Sequence, residues 1–429
     1  MNYPTLIVLF FFLALMALGM PVFMTMSIAA VLGIFMLEGT ERLFENIALG
    51  AFNSLNSYVL MAVPLYILSG TLLEATGLSQ RLFTFAAVWV RGLRGGLGVA
   101  TVIACSIFAA ISGSSVATAA TIGLVAIPVL AKNGYPAGPS GALVAAGGTL
   151  GILIPPSIGL LLYGVLTDQS VGALFVAGVI PGIVLAMLMA VYTSLSTPRN
   201  ESISRATWAE RWRATREAGP ILALPIIIFV GIYTGFATPT EVAAVAVLYI
   251  IIVGLAHRCL GLAQFMTAGK RAITSSVMIS MLLAFGSLLT GYFTLSGVPQ
   301  AITQTIAGSG LGFFGTVTLM IVFYVILGMF LEALSMMLLT VPILFPLASA
   351  LGIHPLAFGI FVVLAVEVAQ VTPPVGINLF TVSGIGNIPF DKLSKSIIPY
   401  VLIMIAMMYL VVYLPKLSVW LPSTMGYGT

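Results

Sequence analysis

The chain has 429 residues, 60% hydrophobic and only 7% charged, with a mean hydropathy of +1.17, whereas an average soluble domain carries roughly 25% charged residues. A soluble fold is excluded, and at about 20 residues per spanning helix the length accommodates on the order of ten to fourteen membrane segments. Runs such as Ile221 to Ile232 and Val401 to Tyr413 are apolar on every face, which excludes the alternating strands of an outer-membrane barrel.

In chain order, the first apolar run, Pro4 to Leu37, lacks a basic flank and is far too long for the core of a signal peptide. It is expected in the membrane, as one long tilted helix or as two short ones broken at Pro21, and the repeat described below favours two. The segment Leu78 to Arg94 mixes apolar and basic residues and is expected to lie along the membrane surface, as is Leu260 to Arg271. The glycines between Gly92 and Gly98 lack the lysine that holds a nucleotide's phosphates, which argues against an ATP-driven pump. Cys105 and Cys259 suggest neither a disulfide nor a metal site.

Short cytoplasmic loops collect lysine and arginine. The central linker, 198–219, carries Arg199, Arg205, Arg211, Arg213 and Arg216 and is placed in the cytoplasm. Tracing outward from it puts 14 of the 16 basic residues on that side, all but Arg42 and Lys416. The net charge of +4 is therefore an orientation signal and not a nucleic-acid footprint. The trace closes only if residues 98–130 and 311–350 enter and leave on one side as re-entrant helical hairpins. Such segments are tolerated only where protein or a water-filled cavity satisfies their backbone.

Sliding the chain by 218 residues superposes Pro21 on Pro239, Pro128 on Pro346, Pro155-Pro156 on Pro373-Pro374 and Pro181 on Pro399. The expected architecture is an all-α polytopic membrane protein with two inverted repeats, 1–197 and 220–416, and a C-terminal tail, 417–429. Each repeat contributes five crossings, one hairpin and one Pro-Pro broken helix, at 137–166 and 356–385. Inverted repeats with discontinuous helices are the architecture of ion-coupled secondary transporters. Proline removes a backbone donor, so carbonyls around Gly151 to Pro156 and Ala369 to Pro374 are released and can coordinate a cation. The tip Ser112-Gly113-Ser114-Ser115 adds hydroxyl oxygens, and its counterpart, Phe330 to Ala333, brings Glu332 and nearby Ser335.

These residues resemble a family, the DctM large membrane subunit of tripartite ATP-independent periplasmic (TRAP) transporters. The likeness spans essentially the whole chain and is strongest at the Ser-Gly-Ser-Ser tip, Gly151-Ile-Leu-Ile-Pro-Pro156, Thr238-Pro-Thr-Glu-Val-Ala-Ala244 and Val371-Thr-Pro-Pro-Val-Gly-Ile-Asn378. The resemblance implies an elevator-type secondary transporter in the bacterial inner membrane. It would import a carboxylate such as a dicarboxylate, keto acid or sialic acid, with Na+ as coupling ion. The implied partners are a DctP-like periplasmic binding protein, a small four-helix DctQ-like membrane subunit and membrane lipid, with no nucleotide, organic cofactor or nucleic acid.

Carried over by motif, a first sodium site falls on Ser112, Ser114, Gly151, Ile154 and Pro156. A second, pseudo-symmetric site falls on Glu332, Ala369, Thr372 and Pro374. The alternative reading of the small residues is close helix packing. Glu332 reads equally as a site residue or as a hairpin anchor, Glu367 as a helix-positioning acceptor, and Glu74 and Glu241 as structural. No intramembrane lysine or arginine is available to a carboxylate, so donors are expected from helix N-termini and from Ser115, Thr118, Ser157 and Asn378. Competing classes are an ion-coupled carrier without a binding protein, an ion channel and an intramembrane enzyme. A channel needs a continuous polar path and an enzyme a general base near Ser114, and neither is apparent in the sequence.

Overall fold

The computed structural model describes residues 3–40, 43–197 and 205–427, and every regular element among them is helical. Glu41, Arg42 and Arg199 lie outside the described residues. The first apolar run is two helices, α1 (Tyr3–Ala17) and α2 (Val22–Glu38). Gly19 at a φ of +79° turns the chain, and Pro21, which has no N–H to donate, stands immediately before α2. The first half continues with α3 (Leu43–Leu55), a 3-10 turn, α4 (Ala62–Thr76) and α5 (Ser79–Trp89). It then forms the hairpin α6 (Gly96–Ser112) and α7 (Ser115–Lys132), the broken helix α8 (Ala137–Leu153) and α9 (Ile158–Thr167), and α10 (Val171–Ser196).

The second half runs α11 (Trp208–Tyr233), α12 (Pro239–Ala256), α13 (Leu262–Leu295) and α14 (Val298–Gly308). The second hairpin is α15 (Gly312–Leu327) and α16 (Ala333–Ala350), and the second broken helix is α17 (Pro355–Val371) and α18 (Ile377–Gly386). The chain ends in α19 (Phe390–Ser396), α20 (Ile398–Tyr413) and α21 (Lys416–Thr424). The 218-residue offset holds to the residue where the proline motifs predict it: α7 and α16 start and stop in register, and so do α8 and α17. Among the described residues seven helices can cross a membrane by length and composition, or nine if each of two bent pairs counts as one span.

The repeats differ in three places. Leu260 to Arg271 is not a separate surface segment but the start of α13, which runs unbroken for 34 residues; its counterpart in the first half is interrupted at Asn56-Ser57 between α3 and α4. No proline interrupts α13, and at 1.5 Å per residue it is about 50 Å long, longer than a hydrocarbon core of about 30 Å. The true counterpart of α5 is α14. Second, α10 is one continuous helix through Pro181, whereas α19 and α20 bend by 43° before Pro399. Third, α6 and α7 pack side by side, while a cavity of about 370 Å³ with an almost wholly apolar lining opens beside α15 and α16. The expected tail is the packed helix α21, which lies along α10 and buries Ser418 and Pro422.

Two helical groups result. Helices α2, α3 and α4 pack on α13 and α12 packs on α4, and the outward residues of this group, such as Leu248, Ile252 and Ile273, are exposed apolar side chains suited to lipid. In the other group the broken helices are innermost: α17 buries every residue from Leu356 to Val371. Each hairpin covers its own broken helix and reaches across to the other, with α7 against α18 and α16 against α9. That crossed packing brings both tips to the proline breaks.

Candidate functional site

Each site is built from one hairpin tip and one helix break. Gly113 closes α6 in the left-handed conformation at a φ of +60°, which a glycine adopts without a Cβ penalty. Ser114 then caps α7, its hydroxyl accepting the Ala117 N–H at 3.4 Å. The Thr118 hydroxyl donates to the Ser114 carbonyl at 2.7 Å and lies 3.0 Å from the Ser112 hydroxyl. Thr118 thus serves the tip turn, joining the two serines of the first site.

On the facing element, Pro155 has no N–H for the Gly151 carbonyl and Pro156 none for that of Ile152. The Ile152 carbonyl accepts the Ser157 hydroxyl instead, and Ser157 Oγ accepts the Leu160 N–H at 3.1 Å as the cap of α9. Tip and break touch. A Cβ built on Gly151 would lie 2.5 Å from the Ser114 carbonyl oxygen, and one on Gly113 would lie 3.0 Å from the Pro156 oxygen. Ser112, Ser114, Gly151 and Pro156 are therefore one oxygen-rich neighbourhood. Ile154 ends α8, with its side chain directed at Gly182.

The second half repeats the design with other chemistry. Glu332 stands at the position of Ser114 and caps α16, accepting the Ser335 N–H at 3.1 Å and the Ser335 hydroxyl at 3.0 Å. Its anchoring role is thus realised within the candidate site. A Cβ on Gly328 would fall 2.2 Å from the Ala369 Cβ, so this tip also rests on its break. Thr372 ends α17 and donates to the Val368 carbonyl at 2.5 Å. Pro373 and Pro374 have no N–H for the carbonyls of Ala369 and Gln370.

The second broken helix, α17 and α18, carries a set of buried polar groups without partners among the described residues. Both carboxylate oxygens of Glu367, Gln370 Nε2 and both amide atoms of Asn378 make no hydrogen bond among the described residues. Native proteins leave few such groups unsatisfied. Ser115 is the side chain facing Glu367, and it is itself buried. Glu367 accepts no backbone donor, because its own helix is hydrogen-bonded internally, and the side chain set against it comes from the start of α7. Glu74 pairs with Arg271 at 3.3 Å and Glu241 caps α12 with Thr238, both structural as expected.

Two residues escaped the sequence reading. Gly70 of α4 lets the hairpin approach, a Cβ there lying 3.2 Å from the Ser112 Cα. Gln370 is a polar residue in an apolar helix, a signal available from the sequence alone. A cavity of about 910 Å³ separates the group around α13 from the α9–α10 turn, with Asn53, Ser54, Thr238 and Ser287 on one wall and Asp168 and Gln169 on the other.

The family model "Tripartite ATP-independent periplasmic transporter, DctM component" matches residues 9–417. The C4-dicarboxylate TRAP transporter large permease protein DctM of Rhodobacter capsulatus is 34% identical, covering 98% of this chain and 99% of its own. The sialic acid TRAP transporter large permease protein SiaM of Vibrio cholerae is 32% identical over 98% and 99%. Among solved structures, the Alcanivorax borkumensis YdaH transporter shares the fold with a TM-score of 0.60 at 16% identity, covering 100% of this chain and 99% of that one. Whole-length family match, the proline-broken repeats and the paired tips agree, and the chain belongs to the DctM family of TRAP transporter large permeases; it is a transporter component and not an enzyme.

Proposed function

We propose that this chain is the translocating subunit of a sodium-coupled importer of an organic anion that a periplasmic binding protein delivers. The observation that carries the reading is the double meeting of tip and break, Ser114 on Gly151 and Gly328 on Ala369. Hydroxyl and carbonyl oxygens are the hard donors that an alkali cation takes. A sodium ion at either place would tie hairpin to broken helix and so complete the surface between them. The substrate, between the tips, would meet the N-termini of α9 and α18 and the amides of Gln370 and Asn378, which supply positive ends of dipoles where no lysine or arginine stands.

The energetics suffice. An ion moving down about 100 mV releases roughly 2.3 kcal/mol, and a tenfold gradient adds about 1.4. Two ions supply on the order of 7 kcal/mol; returning about 2.3 to carry one negative charge inward leaves enough for roughly thousandfold accumulation. The cavity between the two helical groups supports an elevator motion, in which hairpins and broken helices slide past α4, α12 and α13. The test is uptake into proteoliposomes holding this chain, its small membrane subunit and the binding protein. An inward sodium gradient should drive concentrative uptake and support counterflow; equal uptake without the gradient would overturn the coupling, and absence of counterflow would overturn the carrier.

Orientation has its own test. With the basic linker cytoplasmic, cysteines replacing Arg205 and Lys392 should react with an impermeant thiol reagent only from the cytoplasmic side, and one replacing Asp168 only from the periplasmic side. Labelling of positions 168 and 205 from the same side would overturn the inverted arrangement.

A further inference from the structure

The chain has four tryptophans, and three of them lie on α5 and the first turns of α11, two helices that pack together. Trp208 is 72% exposed, Trp212 73% and Trp89 41%. The Trp89 and Trp208 rings stand edge to face at 5.9 Å, and the Arg211 guanidinium lies 5.7 Å and 5.6 Å from their centres. Trp89 is fixed by its indole N–H, which donates to the Thr215 hydroxyl at 3.0 Å. Arg211 Nε is buried and has no hydrogen-bond partner among the described residues.

The charge around these rings is one-sided. Among the described residues of α5, the start of the turn after it and the first turns of α11, five arginines, Arg81, Arg91, Arg211, Arg213 and Arg216, stand with two glutamates, Glu210 and Glu217. Glu210 is already engaged, bonded to Arg91 at 3.2 Å and to the Thr207 N–H at 2.7 Å in the cap of α11. Arg213 and Arg216 are exposed and have no carboxylate partner among the described residues. The basic turns precede Pro220, where α11 becomes apolar, so they stand at headgroup depth with the indoles beside them, as tryptophans do at membrane interfaces.

We infer that this patch is a binding site for the headgroup of an anionic phospholipid. A phosphodiester accepts the planar, two-donor fork of arginine, the indoles flank the glycerol and upper acyl chains, and the excess of positive charge selects a lipid with net negative charge over a zwitterionic one. A lipid held there contacts α5, which packs against hairpin helix α6, and α11, which packs against α12. It therefore fastens the arm of the moving hairpin to the outer helices.

Because only Trp420 lies elsewhere, Trp420→Phe leaves tryptophan fluorescence reporting on this site alone. The full chain carrying that substitution is placed in nanodiscs whose lipid is brominated either on phosphatidylglycerol or on phosphatidylcholine. The expected result is quenching by the brominated anionic lipid at about tenfold lower mole fraction, with the preference shrinking as salt is raised and falling to about twofold or less in Arg211→Gln/Arg213→Gln/Arg216→Gln. Equal quenching by the two lipids in the protein with all its arginines would overturn the inference, and this comparison stands even if the triple variant does not fold. Abolition of the preference by soluble glycerol phosphate would assign the patch to a free phosphate ester. Loss of quenching by both lipids when the small subunit is present would make it a protein interface, also against the inference.

Discussion

Gly151→Val is expected to lower sodium-driven uptake by about a hundredfold or more, the scale on which misplacing a working group by an ångström acts, while the chain still inserts and folds. The new Cβ would lie 2.5 Å from the Ser114 carbonyl oxygen, 2.7 Å from its carbon and 2.9 Å from the Ser115 nitrogen. All three are backbone atoms, so no side-chain rotation relieves the clash, and the tip must lift from the break. Overpacking of this kind costs typically 1–3 kcal/mol, which a membrane bundle survives and an ion site built across the gap does not. Gly328→Val should do the same to the second site, since the Cβ it meets on Ala369 cannot rotate away. Gly219→Val, with nothing within 4 Å of the new Cβ, is the matched control and should transport normally. Uptake is read beside thermal unfolding of the purified chain; normal transport by Gly151→Val would show that tip and break need not touch.

Removing the two tip hydroxyls should raise the sodium concentration for half-maximal uptake severalfold, about fivefold if two of some five oxygen ligands are lost. Ser114 also caps α7, and losing a serine cap to alanine costs roughly 1 kcal/mol, to glycine only a few tenths. Ser112→Ala/Ser114→Ala and Ser112→Ala/Ser114→Gly therefore separate the two roles. Both lack the hydroxyls, so both should show the sodium shift, whereas only the first should show the larger fall in stability. A shift that tracks stability instead of hydroxyl loss would make these serines structural. Sodium titration at saturating substrate, in proteoliposomes with the partner proteins present, gives the comparison.

Much of the fold was legible from the chain because a membrane simplifies the problem. Every backbone group must be satisfied within a helix, so hydropathy marks the segments, and a proline inside one is an unavoidable break. Pro155-Pro156 and Pro373-Pro374 fixed the interruptions, and the 218-residue offset fixed the starts and ends of α7, α8, α16 and α17. Local breakers also account for the separation of α1 from α2, since Gly19 and Pro21 act on their immediate neighbours.

What tertiary structure decided was everything that depends on which helix stands beside which. Ser114 and Gly151 are far apart in the chain, and only the packing of α7 on α8 makes the glycine a seat for the serine. Gly70 carries no pattern that announces contact with Ser112. Glu367 reads as an ordinary helix acceptor, and only the packed structure shows its helix buried on every face and its carboxylate without a hydrogen bond among the described residues. The 34-residue continuity of α13 and the docking of α21 on α10 were likewise settled by packing. Breaks are local steric events that one or two residues determine; seats, clefts and unpaired groups are properties of surfaces that two or more helices make only when they meet.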